Sequence, residues 1–311
     1  MTIHSELQKL DKWVNAISKK DSVQEAASYS LRNRLASLQQ YFPRAATLKT
    51  DSVEDVHQLR VSTRRLLAVL DLYAELLPTK PAKSLRRSLK RIHRSSGAVR
   101  DLDVLAQRYH KTEYKSPKKL VKVLQRKRSR QHVRLAKLYV RLERGDRLLS
   151  QTEELLTKLK RISPKTPIEP AGNWMKFQWL QLVEQFFRSA EVDTADLDAL
   201  HHFRIRCKQL RYGIELLAPF FIAEQRERAY EFVERLQDRL GQLHDHGIAI
   251  EMFRQWETKR NRTSKACDLK RLAEDEEEML RRALGDFAAW WTPSMRADMR
   301  QAFEQLAIPA V

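Results

Sequence analysis

The chain has 311 residues, a formal net charge of +19 and only 7 glycines. Average usage would give about 22 glycines in a chain this long, and Rossmann, P-loop and strand-and-turn folds all require glycine at their turns. The composition therefore argues against those folds and favours an all-α protein, and 42% hydrophobic residues are enough to bury a core.

Apolar side chains recurring every 3 to 4 residues predict a series of helices in chain order. The predicted spans are 5–18, 22–42, 53–77, 83–108, 117–160 with a break near Gly145, 174–190, 197–218, 224–256, 265–290 and 294–306. Ser52 and Asp196 are suitable N-caps. Residues 163–173 contain three prolines and a glycine, which indicates a linker. We therefore expect an N-terminal extension at 1–20, a first four-helix repeat at 21–162 and a second at 174–306.

The two predicted repeats share a motif at a constant offset of 144 residues. The stretch VHQLRVSTRRLL begins at residue 56, and LHHFRIRCKQLR begins at residue 200. A second match places LKRIHRSSGAVRD, from residue 89, against VERLQDRLGQLHD, from residue 233. Two matches at one offset indicate a duplication. The equivalent pairs are His57 with His201, Arg60 with Arg204, Arg64 with Lys208, Gly97 with Gly241, and Asp101 with Asp245.

The duplicated cations lie on one helix face. At 100° per residue, Arg60 and Arg64 fall within about 60° of His57, whereas the leucines of the same helix cluster on the far side. The second repeat keeps this arrangement. A duplicated cationic face beside the core stripe predicts an anion-binding surface, while a histidine that only orders its helix pair is the structural alternative.

The excess charge is concentrated in the first half of the chain. Residues 83–144 contain 21 Lys or Arg and 4 Asp or Glu, whereas residues 145–311 are nearly neutral. Arg87, Lys90, Arg91 and Arg94 share one arc of about 100°. The second repeat has mostly acidic residues at these positions, so we expect the two halves to contribute unequally. A charge field of this kind favours an anionic partner over general solubility.

These motifs resemble the CHAD family, the conserved histidine α-helical domain, over roughly residues 20–300. The resemblance implies two four-helix bundles related by pseudo-twofold symmetry around a basic pore or groove. It also implies binding of inorganic polyphosphate and association with polyphosphate granules. Matching the motif residue by residue points to His57, Arg60, Arg64, Arg65, His201, Arg204, Lys208 and Arg211. Two departures are Leu67, where the family often has arginine, and His244, where the first repeat has Arg100.

The predicted polyphosphate-binding set extends beyond the motif. A flexible chain of anionic groups needs a continuous track of donors, and arginine and lysine supply them. The additional residues are Arg87, Lys90, Arg91, Arg94, Arg100, Lys127, Arg128, Arg134, Arg235 and Arg239.

Other functions remain open from the sequence. Nucleic-acid binding would use the same charges, although no helix-turn-helix, zinc-finger or RNP signature is present and the aromatic residues Trp174, Phe177 and Trp179 occupy core-like positions. Phosphohistidine chemistry and a structural scaffold are further alternatives. His244 and His246 are poorly spaced for a helical metal site.

The remaining sequence features predict a non-catalytic protein without cofactor or metal. Cys207 and Cys267 form no metal or disulfide pattern, and no apolar run approaches the roughly 20 residues of a membrane span. The polar N-terminus carries no signal-peptide pattern. We therefore expect a cytoplasmic protein whose partner is polyphosphate or another polyanion such as nucleic acid.

Overall fold

The described part of the chain is mainly helical. The computed structural model describes residues 12–47, 53–111, 118–143, 146–161, 171–258 and 268–306. Within these ranges it contains no strand, which confirms the all-α prediction. The helices are α1 (Val23–Ala46), α2 (Val53–Leu72), α3 (Thr79–Lys111), α4 (Lys118–Glu143), α5 (Arg147–Lys160), α6 (Ala171–Ala190), α7 (Leu197–Leu216), α8 (Ala223–Thr258), α9 (Leu269–Trp290) and α10 (Pro293–Gln305), with a 3₁₀ turn at Ala218–Phe220.

Each half of the chain has five helices in the described ranges, where the sequence predicts four per repeat. The predicted helix 117–160 is two helices, α4 and α5, and Asp146 between them has a left-handed backbone with φ of 47°. The bounds of α2 and α7 differ by 144 residues at both ends, and α10 occupies the position equivalent to α5. The predicted helix 294–306 is therefore the fifth helix of that half.

The helix ends agree in part with the sequence predictions. Asp196 caps α7 by accepting hydrogen bonds from the amides of Asp198 and Ala199, and Ser22 forms a capping box with Glu25 at the start of α1. Ser52 lies outside the described residues. Residues 12–18 are not helical, so the prediction of a helix at 5–18 is wrong for the residues that the structure describes. Residues 171–173, predicted as part of the linker, belong to α6.

The helices pack as neighbours within each half and also across the two halves. In the first half α1 packs on α2, and α3 packs on α2, α4 and α5. In the second half α7 and α9 pack on α8, and α6 packs on α7. Contacts of α1 with α6, α2 with α7 and α3 with α8 join the halves. The main apolar core contains residues of both repeats, and a second, smaller apolar cluster lies among α3, α4, α8 and α9.

The aromatic residues mostly lie in this core. Trp179, Phe186 and Phe203 are buried, and the indole of Trp179 donates to the carbonyl of Phe303. Phe177 is an exception to the sequence prediction, because 56% of it is exposed. No helix in the described ranges has the length and apolar character that a membrane span requires.

Candidate functional site

The duplicated motif helices α2 and α7 pack against each other, and a pocket of about 600 Å³ opens beside them. Its lining includes cations from both halves of the chain: Arg60 and Arg64 on α2, and Arg204 and Lys208 on α7. Imidazoles from three helices complete the polar wall, namely His93 of α3, His201 of α7 and His244 of α8. The pocket therefore concentrates positive charge that the sequence distributes over two distant segments.

These four cations have no carboxylate partner at ion-pair distance among the described residues, whereas the neighbouring Arg65 has one. Arg64 Nε is buried and lacks a hydrogen-bond partner in the described part of the chain. An unpaired donor in a partly buried position is unfavourable. An anion that entered the pocket would satisfy these donors.

The electrostatic effect is strongest at Lys208. Burial, together with the charges of Arg204 and Arg64, lowers the pKa of Lys208 to about 6. Burial and the same group of cations also lower the pKa of His93 and of His244 to about 3 each, so both imidazoles are neutral at pH 7. The pKa of Arg204 is lowered as well, mainly by burial, although a guanidinium remains charged at neutral pH.

Arg60 is held in place by α3. Its Nη1 donates to the carbonyl oxygen of His93 at 3.1 Å. The guanidinium lies against Gly97, where a Cβ atom would be only 2.4 Å from Nη1. Glycine at this position therefore leaves room for the guanidinium, whereas a Cβ at the equivalent Gly241 would meet nothing within 4 Å.

Two aspartates lie near this cluster. Burial raises the pKa of Asp101 on α3 and of Asp245 on α8, and each aspartate interacts electrostatically with Arg204. Neither comes within ion-pair distance of a described cation. They offset part of the positive charge without occupying its donors. The lining also holds Asp71, which pairs with Arg86, and Glu75. The four basic residues outnumber these two carboxylates, so the pocket still favours an anion.

The sequence profile of the CHAD domain matches residues 29–254 of the chain. The chain belongs to the CHAD family. Its fold is similar to the crystal structure of the CHAD domain from the plant Ricinus communis, with a TM-score of 0.76 and 19% identity over 99% of both chains. It is also similar to PptA from Streptomyces chartreusis, with a TM-score of 0.57 and 17% identity over 91% of this chain and 100% of PptA. No curated protein matches the sequence.

Several predicted site residues of this CHAD chain lie away from the pocket and have protein partners. Arg65 Nε donates to Glu215 Oε2 at 2.6 Å, and Arg211 Nε lies 3.9 Å from the same carboxylate. Arg128 pairs with Asp103, and the ammonium of Lys127 lies 4.2 Å from the ring centroid of Trp256. These tertiary contacts direct the four cations away from the pocket.

The remaining predicted residues are divided among other surfaces. His57 and Arg100 lie near each other outside the pocket lining, and burial, with the charge of Arg100, lowers the pKa of His57. Arg239 stacks on Trp290 and Arg235 on Phe232. Exposed side chains that line no part of the pocket are Arg87, Lys90, Arg91, Arg94 and Arg134.

Sequence reasoning did not identify His93, because its equivalent in the second repeat is a glutamine, Gln237. His244 is marked in the sequence only as a departure from the motif, where the first repeat has Arg100, and as a poorly spaced metal ligand. No group of three or more potential ligands in the described ranges could hold a metal ion, and His246 instead contacts Glu276. Three glutamines on α6 also line the pocket without any motif to mark them: Gln178, Gln181 and Gln185.

Proposed function

We propose that this CHAD protein binds inorganic polyphosphate in the pocket beside α2 and α7. The observation that carries the proposal is a group of four basic residues that line one pocket from both halves of the chain and have no ion-pair partner among the described residues: Arg60, Arg64, Arg204 and Lys208. Such a group is electrostatically unfavourable in the free protein, and an anion of high charge density removes the repulsion.

The chemistry of the lining suits phosphate. Arginine presents forked donors that match phosphate oxygens, and lysine adds a point charge. Neutral His93 and His244 each contribute one N–H donor. Because these groups stand on packed helices, little ordering is required when the ligand binds. Recognition by charge and donor position requires no base, which suits a polymer of phosphate alone.

The proposal includes the finer architecture that the family resemblance implies. The two halves are related by pseudo-twofold symmetry, and the pocket is part of a basic groove or pore between them. The protein acts by binding, without catalysis, in the cytoplasm and at polyphosphate granules. The equal bounds of α2 and α7 after the 144-residue shift support this symmetry.

The test is a titration of the whole protein with polyphosphates of graded length, and with DNA and RNA at matched phosphate concentration. The pocket variant combines Arg64→Met with Lys208→Met. Each charge-assisted bond to phosphate contributes roughly 1.5–3 kcal/mol, so losing two should weaken polyphosphate binding at least about tenfold.

The matched control combines Arg228→Met with Arg271→Met, two exposed cations that form no ion pair with a described residue and lie outside the pocket. It removes the same number of basic side chains and should change affinity by less than about twofold. Equal losses in both variants would mean that only net charge matters. Tighter binding of DNA or RNA than of polyphosphate would reassign the pocket to nucleic acid.

A further inference from the structure

A second basic surface runs along the outside of α4. Its cations recur once per turn over nineteen residue steps, which corresponds to about 28 Å of helix, and they fall within an arc of about 120°. Buried Leu124, Leu135 and Leu142 lie on the opposite face of the same helix. We call this surface the α4 ridge. Its members, all exposed, are Lys122, Arg126, Arg130, Arg134, Lys137 and Arg141.

The ridge cations differ from the inward-facing cations of the same helix. None of the six forms an ion pair with a described carboxylate, and Arg134 has only a 3.2 Å hydrogen bond to the side chain of Gln131. Between them in sequence, Arg128 pairs with Asp103 and Lys127 stacks on Trp256. The tertiary structure therefore separates one run of basic sequence into fixed inner cations and a free outer row.

A row of this kind is destabilising without a partner. Like charges four residues apart on a helix repel each other, and α4 carries a single acidic residue, Glu143, at its last position. The ridge also lies apart from the pocket, since no residue of α4 contributes to the pocket lining. Repulsion along the whole helix is relieved by an anion that can follow it.

We propose that the α4 ridge is a second, separate binding site for long polyphosphate chains. The inference rests on the proposed function of the pocket. A short chain engages only the pocket, whereas long chains also occupy the ridge, either through one chain that reaches both sites or through separate segments. Two such sites make affinity increase with chain length beyond what the pocket alone provides.

The geometry favours a flexible chain over a nucleic-acid duplex. A helix that lies in the major groove of a duplex contacts base edges through polar side chains. A flexible polyanion can follow the entire row. Val133 and Val140, which are 40% and 48% exposed and lie within the ridge, provide no hydrogen-bonding groups that could read base edges.

The experiment compares the affinities of the whole protein for tripolyphosphate and for a long-chain polyphosphate. The ridge variant carries Arg126→Gln, Arg130→Gln, Arg134→Gln and Lys137→Gln. We expect it to bind tripolyphosphate like the unmodified protein and to lose about tenfold in affinity for the long chain. Its melting temperature should not fall, because glutamine is a good helix former and the repulsion is relieved.

The control removes four exposed cations that lie outside both sites and have no described ion-pair partner, by Lys160→Gln, Lys176→Gln, Arg228→Gln and Arg271→Gln. It should retain the preference for long chains. The ridge proposal is overturned if the control loses as much affinity as the ridge variant. It is also overturned if the ridge variant keeps its long-chain affinity, or if it loses affinity for duplex DNA alone.

Failure of the pocket has a different signature. If the Arg64→Met and Lys208→Met variant binds tripolyphosphate as well as the unmodified protein, the proposed function of the pocket is wrong, whatever the ridge variant does. If that pocket variant loses tripolyphosphate binding and the ridge variant loses nothing, the pocket stands and the ridge proposal is wrong.

Discussion

At the scale of single residues, the important feature of the pocket is that its basic side chains lack a carboxylate partner among the described residues. Burial is the main reason that the ammonium form of Lys208 is disfavoured, and the charges of Arg204, Arg64 and Arg60 add to its effect. The aspartates nearby are too distant to form ion pairs with it. In the free protein, Lys208 is therefore mostly neutral at pH 7, and a bound phosphate restores its charge.

This predicts that polyphosphate binding is coupled to proton uptake. Because phosphate raises the pKa of Lys208 from about 6, affinity should rise as the pH falls from 8.5 to 6.5, by at most about tenfold per pH unit. In the free protein, His93 and His244, with pKa values of about 3, are neutral in this window. Calorimetry in buffers of different ionisation enthalpy would measure the protons taken up.

The Lys208→Arg variant is the sharpest comparison, because a guanidinium is charged throughout this range. It should bind with less proton uptake and a flatter pH profile, whereas Lys176→Met, which changes an exposed residue, should keep the original profile. A Lys208→Arg profile as steep as that of the unmodified protein would assign the proton to another group. In the free protein, the same pKa predicts that stability rises between pH 6 and 10.5, where only the unfolded chain holds this proton.

A second prediction concerns Gly97. In Gly97→Ala the new methyl group must displace the end of Arg60, which would lose its hydrogen bond to His93. Helix propensity favours alanine by about 1 kcal/mol, so we expect the variant to fold with nearly unchanged stability but to bind polyphosphate several-fold more weakly. Denaturant titration and binding measurements on the same sample separate the two effects.

Gly241→Ala is the matched control at the equivalent position of the second repeat, where the added Cβ meets no atom within 4 Å. It should gain about 0.5–1 kcal/mol of stability and keep its affinity. If both alanine variants bind equally well, the close approach of Arg60 to Gly97 has no role in recognition.

At the scale of helices, two buried carboxylates connect the halves of the chain. Glu215 on α7, 1% exposed, accepts hydrogen bonds from Arg65 of α2 and from Tyr230 of α8. Glu276 on α9, fully buried, accepts from Arg108 and Tyr109 of α3. Both carboxylates are in the second half, and both receive an arginine from the first. We call these two ion pairs, Arg65–Glu215 and Arg108–Glu276, the inter-half clamps, because they join α2 to α7 and α3 to α9.

The third prediction tests the first clamp. Arg65→Met leaves the buried carboxylate of Glu215 without its main partner, so the free energy of unfolding should decrease by about 3 kcal/mol. Arg64→Met, on the same helix, removes an arginine that has no ion-pair partner among the described residues and should change this free energy by less than about 1 kcal/mol. Urea denaturation measures both. Similar losses in the two variants would show that Arg65 is no more structural than Arg64.

At the scale of the whole molecule, the net positive charge lies mostly in one half of the chain, but the cations that line the pocket come from both. The first half of the chain carries almost all of the net positive charge, whereas the pocket takes cations from both halves. The sequence prediction of unequal halves thus applies to the outer surface, including the α4 ridge, and not to the pocket lining. Attraction at a distance and contact within the pocket are provided by different residues.

This separation predicts a specific salt dependence. Tripolyphosphate, which meets only the four pocket cations, should show a slope of log affinity against log salt of roughly −3, by analogy with single-stranded nucleic acid. A long chain should show a steeper slope. The slopes are measured between about 50 and 200 mM salt. A slope near zero for both ligands would rule out ionic contacts.

Taken by itself, the sequence determined the features that local periodicity encodes. Scarce glycine and regular apolar spacing predicted an all-α fold, and the 144-residue repeat predicted which helices are equivalent. The cationic face of α2 and α7 was readable because a helix fixes the angle between His57, Arg60 and Arg64. The sequence predicts a helix break near Gly145, one residue from the observed break at Asp146. It predicts four helices per repeat, however, where the described structure has five in each half.

Only the tertiary structure decided which cations are free. Arg64 and Arg65 are adjacent in sequence, yet Arg65 pairs with a carboxylate 150 residues away, whereas Arg64 has no ion-pair partner among the described residues. In the same way Arg128 is directed inwards by Asp103, while Arg126 and Arg130 remain exposed. Helical periodicity gives the direction in which a side chain leaves the axis of its own helix. Whether that direction meets an acid, an aromatic ring or a pocket depends on how distant helices pack.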